Sequence, residues 1–471
     1  MARSVWDLLL NWWENIISPG SSATKLLGFA FMEKKPSHHD EILKHIYDGH
    51  DMKNIVVLRH CTVPNSLNDE QSNHIQLKQH TEREVEPEGS KMEIDLVGKT
   101  VENKQIILKG YTDGSPLETD MELKVGDGLK LEAPKGSNAI VVKNLYLSCD
   151  PYMRGRMRDF HGSYLPPFSP GSAIEGFGVS KVVDSDDPNL KRGDLVSGFT
   201  NWEEYSIIHK TKTGQLRKIE QDDGIPLSYH VGLLGMPGFT AYVGFYEVCG
   251  PKKGDYVYVS AASGAVGQLV GQLAKLHGCY VVGSAGTSKK VELLKNKLGF
   301  DEAFNYKQEL DLEAALMRYF PQGIDIYFDN VGGAMLDAAL ANMRIHGRVA
   351  VCGMVSQTNR TDTQTFRNMF SVISKRVTIK GFLQSDFVHL YPRFLEDIKG
   401  WYKQGKIVYL EDMNDGLETA PAAFVGLFSG KNVGKQVICV ASELPGKGWS
   451  LTTQEIDANG GQHRSNQQRQ V

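Results

Sequence analysis

The chain has 471 residues, of which 41% are hydrophobic and 23% charged, with a formal net charge of -4. That length suits about three domains, the composition suits an ordinary globular core, and the charge gives no reason to expect nucleic acid or an anionic membrane surface as partner. No run approaches the roughly 20 apolar residues that a bilayer span needs.

Residues 1–91 show no sustained period. They hold Trp6, Trp12 and Trp13, then His38, His39, His45 and His50, then a polar tract from Asn65 to Lys91. The histidine spacing matches no metal-site type, so a solvated loop is expected. Val5–Ile17 is interrupted by Asp7, Asn11 and Glu14, whereas a secretory core is an unbroken apolar block; a cytosolic (cytoplasmic) protein with a partly disordered extension is expected, an amphipathic leader being the alternative. From Met92 the texture changes. Ile106–Leu108, Ala139–Ser148 and Gly178–Val183 read as strands between Gly, Pro and Asp turns, and this density of short strands suggests a compact β-rich domain. From about residue 225 strands and helices alternate: Asp255–Ser260, Cys279–Ser284, Ile324–Phe328, Arg348–Cys352 and Val377–Ile379 are the strands, with helical spacing at Val266, Leu269, Val270 and Leu273 and again over Lys289–Leu298. Such alternation predicts a parallel sheet covered on both faces. A helix is expected near Tyr391–Tyr402, and the polar tail from Leu444 is expected to be disordered.

The cysteines Cys61, Cys149, Cys249, Cys279, Cys352 and Cys439 contain no C-x-x-C pair. Scattered through apolar runs, they read as free thiols of a reducing compartment.

The most specific chemical signal is the stretch Val257–Gly267. An apolar strand enters the small-residue turn Ala261, Ala262, Ser263, Gly264, Ala265, Val266, Gly267 and leaves as an amphipathic helix. The usual G-x-G-x-x-G stands here as Ala262-x-Gly264-x-x-Gly267. Gly264 lets backbone approach a pyrophosphate, Gly267 lets helix pack on strand, and the helix N-terminus faces the phosphates. NAD enzymes place a carboxylate roughly 20 residues further on. Here Gly283–Lys290 has none, and Lys289 and Lys290 supply positive charge. A 2′-phosphate suits that pocket, so the cofactor expected is NADPH. The alternative is that these lysines are solvated at a helix start, and at least one of them is expected to be.

Catalytic zinc needs thiolate and imidazole ligands. Ser148–Gly155 lacks a Gly-His-Glu element and a Cys at the ligand position, and Pro170–Gly176 carries no His; no metal is expected. Without a Lewis acid, alcohol oxidation loses its means of stabilising an alkoxide. Conjugate reduction asks less, because a hydride goes to the β-carbon and hydrogen-bond donors can hold the enolate oxygen.

Taken together, Ser148-Cys149-Asp150-Pro151-Tyr152-Met153-Arg154, Met236–Tyr242, Ala261–Gly267, Phe328–Gly333 and Cys352–Gln357 resemble the plant 2-alkenal reductase and double-bond reductase family, zinc-independent medium-chain dehydrogenase/reductases related to the animal prostaglandin reductases. The resemblance covers about residues 92–442. It implies an α/β architecture with a GroES-like β-rich catalytic domain (92–224, completed by 386–443), a Rossmann doubly wound domain (225–385), NADPH as cofactor, enal or enone substrates and a homodimer, with 1–91 and 444–471 outside the family pattern. It places cofactor contacts on Tyr152, the 261–267 loop, Gly286, Lys290, Tyr306, Asn330, Cys352, Gly353, Ser356, Gln357, Phe382 and Asn432. Tyr152 and the residue after the Ser-Gln pair are implied to be catalytic. That residue is usually a Tyr and is here Thr358, whose hydroxyl is shorter and far less acidic; Tyr152, the cofactor ribose or water would then take its part. Asn359–Asn368 and Ser288 also depart from the family pattern. Reduction of a quinone, and NADPH binding with little turnover, are the competing readings.

Overall fold

The computed structural model describes residues 96–213, 216–220, 224–360 and 365–441. The readings made for 1–91 and for the tail from 444 lie outside them.

The first sheet is antiparallel for the most part and is built from both ends of the described chain. Its strands are β3 (Ile140–Ser148), β4 (Glu175–Ser185), β5 (Leu195–Asn201), β6 (Tyr205–Ile208) and β7 (Arg217–Ile219), joined by β14 (Glu411–Asp415) and β15 (Lys435–Cys439). The order is β14-β15-β3-β4-β5-β7, with β6 also paired to β3. A two-stranded ribbon, β1 (Thr100–Leu108) with β2 (Met121–Lys130), precedes it. The pairing of β15 with β3 sets Val437 opposite Ser148, so the chain's return strand lies against the strand that ends at the Ser148–Tyr152 turn.

The second sheet is wholly parallel: β8 (Tyr256–Val259), β9 (Tyr280–Ala285), β10 (Glu302–Asn305), β11 (Ile324–Asp329), β12 (Met343–Val351) and β13 (Thr378–Gly381). Its order β10-β9-β8-β11-β12-β13 reverses direction at β8, the switch point where dinucleotides bind in such sheets. Alternation divides the apolar side chains between two cores. Val257 and Val259 of β8 pack with Leu269, Leu273 and Phe394 on one face. Tyr258 packs with Leu316 and Leu340 on the other. Helices therefore cover both faces, as a continuous apolar strand requires. The expected helix at Lys289 starts one residue earlier, at Ser288, because the Thr287 hydroxyl caps it by accepting from the Lys290 N–H at 3.3 Å.

The two sheets are joined by side-chain bolts. On the helix Gly267–Leu276, Gln268 and Gln272 sit four residues apart, hence on one face. Gln268 donates to the Leu410 carbonyl (3.0 Å) and accepts from the Leu410 N–H (2.9 Å). Gln272 does the same with Val408, at 2.8 Å both ways. Both glutamines are buried; Gln272 pairs both backbone groups of Val408, while Gln268 pairs the Leu410 N–H and shares the Leu410 carbonyl with the Lys435 N–H at 2.9 Å. No described helix is long and apolar enough to cross a membrane.

Candidate active site

The turn after β8 is shaped by close backbone approach. Ala261 has φ 46°, in the left-handed region, which costs a non-glycine residue about 1 kcal/mol. Such strain is kept where neighbouring structure enforces it, often at ligand sites. A Cβ at Gly267 would stand 2.6 Å from the Ala261 carbonyl oxygen and 2.8 Å from Ala262 Cα. Both are backbone and cannot yield. Ala262 is fully buried and donates its N–H to the Ser284 carbonyl at 3.0 Å, while Ser263 accepts from the Gly434 N–H at 2.9 Å. Gly264, Ala265 and Val266 complete the turn, which opens directly onto the helix beginning at Gly267; a phosphate held there meets the positive end of the helix.

The next corner lies at the ends of β9 and β10. A Cβ on Gly286 would lie 3.5 Å from the Tyr306 hydroxyl and 3.3 Å from Lys307 Cε, so Gly286, Tyr306 and Lys307 form one cluster. The two lysines of the sequence separate: Lys289 is exposed, and Lys290 is buried, with Nζ donating to the Gly430 carbonyl at 2.7 Å. Burial, and then the charge of Lys307, lower the Lys290 pKa. Two cations held in mutual repulsion beside a tyrosine hydroxyl suit a dianionic 2′-phosphate, which would relieve that repulsion. The sequence reading missed Lys307, although it directly follows Tyr306.

At the ends of β11 and β12, Asn330 is fixed by Ser260: its N–H donates to Ser260 Oγ (3.0 Å) and its Nδ2 to the Ser260 carbonyl (2.8 Å). The N–H groups of Cys352 and Gly353 donate to the Asp329 carbonyl at 2.9 and 3.1 Å, so these two and Asn330 share one edge. Ser356 Oγ donates to the Val331 carbonyl and accepts from Gln357 Nε2. Thr358 Oγ1 donates back to the Met354 carbonyl at 3.1 Å, so its one proton is used within its own turn. Phe382 packs edge-on to Phe328 at 6.2 Å and over Gly244, a wall position. Asn432 donates Nδ2 to the Gly434 carbonyl at 2.8 Å, shaping the segment that touches Ser263.

Tyr152 belongs to the other sheet. It follows β3 and opens the short helix Met153–Arg156. Its hydroxyl is buried and has no hydrogen-bond partner among the described residues. Burial above all, with Asp150 nearby, pushes the phenol well above its usual range. A buried donor without a partner is costly, which makes Tyr152 a candidate donor to a ligand oxygen. Its ring meets Phe177 edge-on at 6.4 Å, and Phe177 also lines a cavity of about 350 Å³ with Phe199, Leu216, Met236, Gln384 and Val388. Arg158, another residue the sequence reading missed, donates Nη2 to the Thr358 carbonyl at 2.7 Å. That bond ties the Tyr152 segment to the loop after β12. The residues thus fit a dinucleotide along the ends of the parallel strands.

Among the described residues no group of three His, Cys, Asp or Glu side chains could hold a metal ion. The described cysteines are free thiols: Cys149, Cys249 and Cys279 are buried, and Cys352 and Cys439 half-buried. Burial pushes Cys149, Cys249 and Cys352 up to about 12 and Cys279 to about 11.

Two sequence families match, described as zinc-binding dehydrogenase over residues 265–399 and as the N-terminal domain of oxidoreductase over residues 104–216. The NADP(+)-dependent 2-alkenal reductase of Nicotiana tabacum is 62% identical over 347 residues, 74% of this chain and 100% of that protein. The chain belongs to the zinc-independent double-bond reductase family. Within the family, (+)-pulegone reductase of Mentha piperita is 53% identical over 73% of this chain and 100% of its own. Among solved structures, CurA of Vibrio vulnificus in complex with NADPH is 37% identical, with a TM-score of 0.66, over 72% of this chain and 99% of that one.

Proposed function

We propose that this chain is an NADPH-dependent 2-alkenal reductase, saturating the α,β carbon–carbon double bond of unsaturated aldehydes and ketones. The buried, unpartnered Tyr152 hydroxyl carries the reading, in a chain similar along its whole family region to the tobacco enzyme. NADPH, when bound, supplies the hydride that adds to the β-carbon. The chain's own residues do the rest. Lys290, Tyr306 and Lys307 hold the 2′-phosphate, the Ala261–Gly267 turn holds the pyrophosphate, and Asn330, Cys352, Gly353, Ser356, Gln357, Phe382 and Asn432 line the cofactor's path. Tyr152 donates to the substrate carbonyl as negative charge gathers there; its raised pKa keeps the phenol protonated at neutral pH, which is the state that can donate. Thr358, joined to the Tyr152 segment through Arg158, is assigned to the same catalytic end. The cavity beside Phe177 takes the substrate's carbon chain along Phe199, Leu216, Met236 and Val388, with Arg217, His230 and Gln384 also on its wall.

The test is NADPH consumption by the purified chain with a short 2-alkenal, a phenylpropenal and a quinone in parallel, and NADH as comparison. Formation of the saturated aldehyde, faster with NADPH, is the expected result. The second reading, a binding protein with little turnover, is favoured by the Thr358 hydroxyl being bonded to Met354; cofactor fluorescence would then be quenched with no substrate consumed.

The division into a catalytic domain (92–224 and 386–443) and a cofactor domain (225–385) is supported by β3–β7 and β14–β15 sharing one sheet and β8–β13 the other. A homodimer is supported by the edge strand β13, exposed along its length and flanked by Phe370 and Ile373, each 72% exposed; unpaired edges of this kind seek a partner strand. A single mass twice the chain's in light scattering is the expected result. A cytoplasmic location accords with the free thiols and is checked by imaging a tagged chain.

A further inference from the structure

Resting on the reductase reading, we propose that Lys435 is a positioning residue that links occupancy of the phosphate turn to the placement of Tyr152. Lys435 is 1% exposed. Its ammonium spends its three N–H donors on the Cys149 carbonyl (2.8 Å), the Gln436 carbonyl (3.0 Å) and Asp150 Oδ1 (3.2 Å). Asp150 is buried too, and its other oxygen accepts from Ser148 Oγ at 2.5 Å. Lys435 therefore grips the two residues that follow β3, and the Asp150 carbonyl accepts the Met153 N–H at 3.1 Å to start the turn that carries Tyr152.

The residue before it touches the cofactor side. Gly434 donates its N–H to the Ser263 carbonyl and forms a parallel bridge with Gly264. It has φ 83°, and a Cβ there would collide with the Leu410 carbonyl oxygen, so the backbone at this point is fixed in both conformation and spacing. Leu410 is in turn held by Gln268, from the helix whose start receives the phosphates. Consecutive residues thus contact the two halves of the site, 434 the phosphate turn and 435 the Tyr152 turn. An ion pair this deep is a poor source of net stability, since desolvation offsets most of the attraction. Holding a particular geometry is the role that remains.

The test compares the wild type with the neutral pair Lys435→Met/Asp150→Asn, which removes both charges together and avoids an orphaned ion. Hydrogen exchange is followed on adding NADPH. In the wild type, protection is expected in 261–267 and also in 148–157. In the pair variant it is expected in 261–267 alone, with the NADPH dissociation constant within about threefold of wild type, kcat at least about tenfold lower and the enal KM little changed. Protection of both segments in the variant overturns the proposal, as does wild-type kcat, or a parallel loss of kcat, affinity and thermal stability. Should the pair variant not fold, Ser148→Ala removes only the hydroxyl that orients Asp150. A kcat about threefold lower at unchanged KM then supports the link, and an unchanged kcat overturns it. Wild-type protein that consumes no NADPH with any enal defeats the reductase reading instead, while the exchange pattern still decides the linkage.

Discussion

The phosphate turn and the Tyr152 turn do comparable work by different means. In the first, function resides in backbone: Gly267 must lack a Cβ because Ala261 and Ala262 stand in its place, and even the turn's distant contact, with Gly434, is made by backbone. In the second, function resides in a side chain, held by partners far away, Lys435 lying 285 residues from Asp150. A backbone site should fail through shape, a side-chain site through chemistry with the fold intact.

The sharpest way to break that contrast is Gly267→Val. With backbone on the receiving side, the NADPH dissociation constant should rise at least about 100-fold and the melting temperature fall, since overpacking costs about 1–3 kcal/mol or more; fluorescence titration and calorimetry check both. Tyr152→Phe should do the reverse in kind. It removes a buried hydroxyl that has no partner, so the apo protein should keep or gain up to about 1 kcal/mol of stability, while kcat falls about 100-fold, the lower end of the range for loss of a positioned donor. A destabilised Phe variant would show that the hydroxyl has a structural partner after all. Lys307→Ala sharpens the cofactor side: affinity for NADPH should fall about tenfold, one charge-assisted contact, and affinity for NADH should not move. An equal loss for both would remove Lys307 from the 2′-phosphate corner.

The smallest effect is one of pH. Burial raises the Glu411 carboxyl to about 7, against the lowering influence of its Ser228 hydrogen bond and of Lys435. Between about 4.5 and 7 the folded state therefore binds more protons than the unfolded one, and stability falls as pH rises through that window. Glu411→Gln should flatten the decline, by on the order of 1 kcal/mol at pH 8 once relaxation around the carboxylate is allowed for. Denaturation curves at pH 5 and pH 8 measure it, and an unchanged slope would place the proton elsewhere.

The same contrast explains what could be read from the sequence. The parallel sheet was legible because β8, β9, β11 and β12 are apolar runs at regular spacing, and the turn after β8 because small residues at fixed offsets have one physical use. Lys290 could be marked as a cation near the second strand, but not as the buried one of its pair. Burial depends on Gly430, which lies 140 residues on. Arg158, Lys307 and Lys435 carry no local signature. Each acquires its meaning from the residue across from it, and a lysine in a strand such as β15 reads from sequence as an ordinary edge charge. Thr358 was identified as a departure from the family, yet only the structure shows its proton directed to Met354.

The buried thiols have a consequence for the chemistry the enzyme lives with. Enals alkylate thiolates by conjugate addition, and only the thiolate is an effective nucleophile. With Cys149, Cys249, Cys279 and Cys352 all pushed to about 11 or above, the described thiols stay protonated at neutral pH. A protein that reduces Michael acceptors should in this way be a poor target for them at its described thiols, and mass analysis after incubation with excess enal should find those five cysteines unmodified.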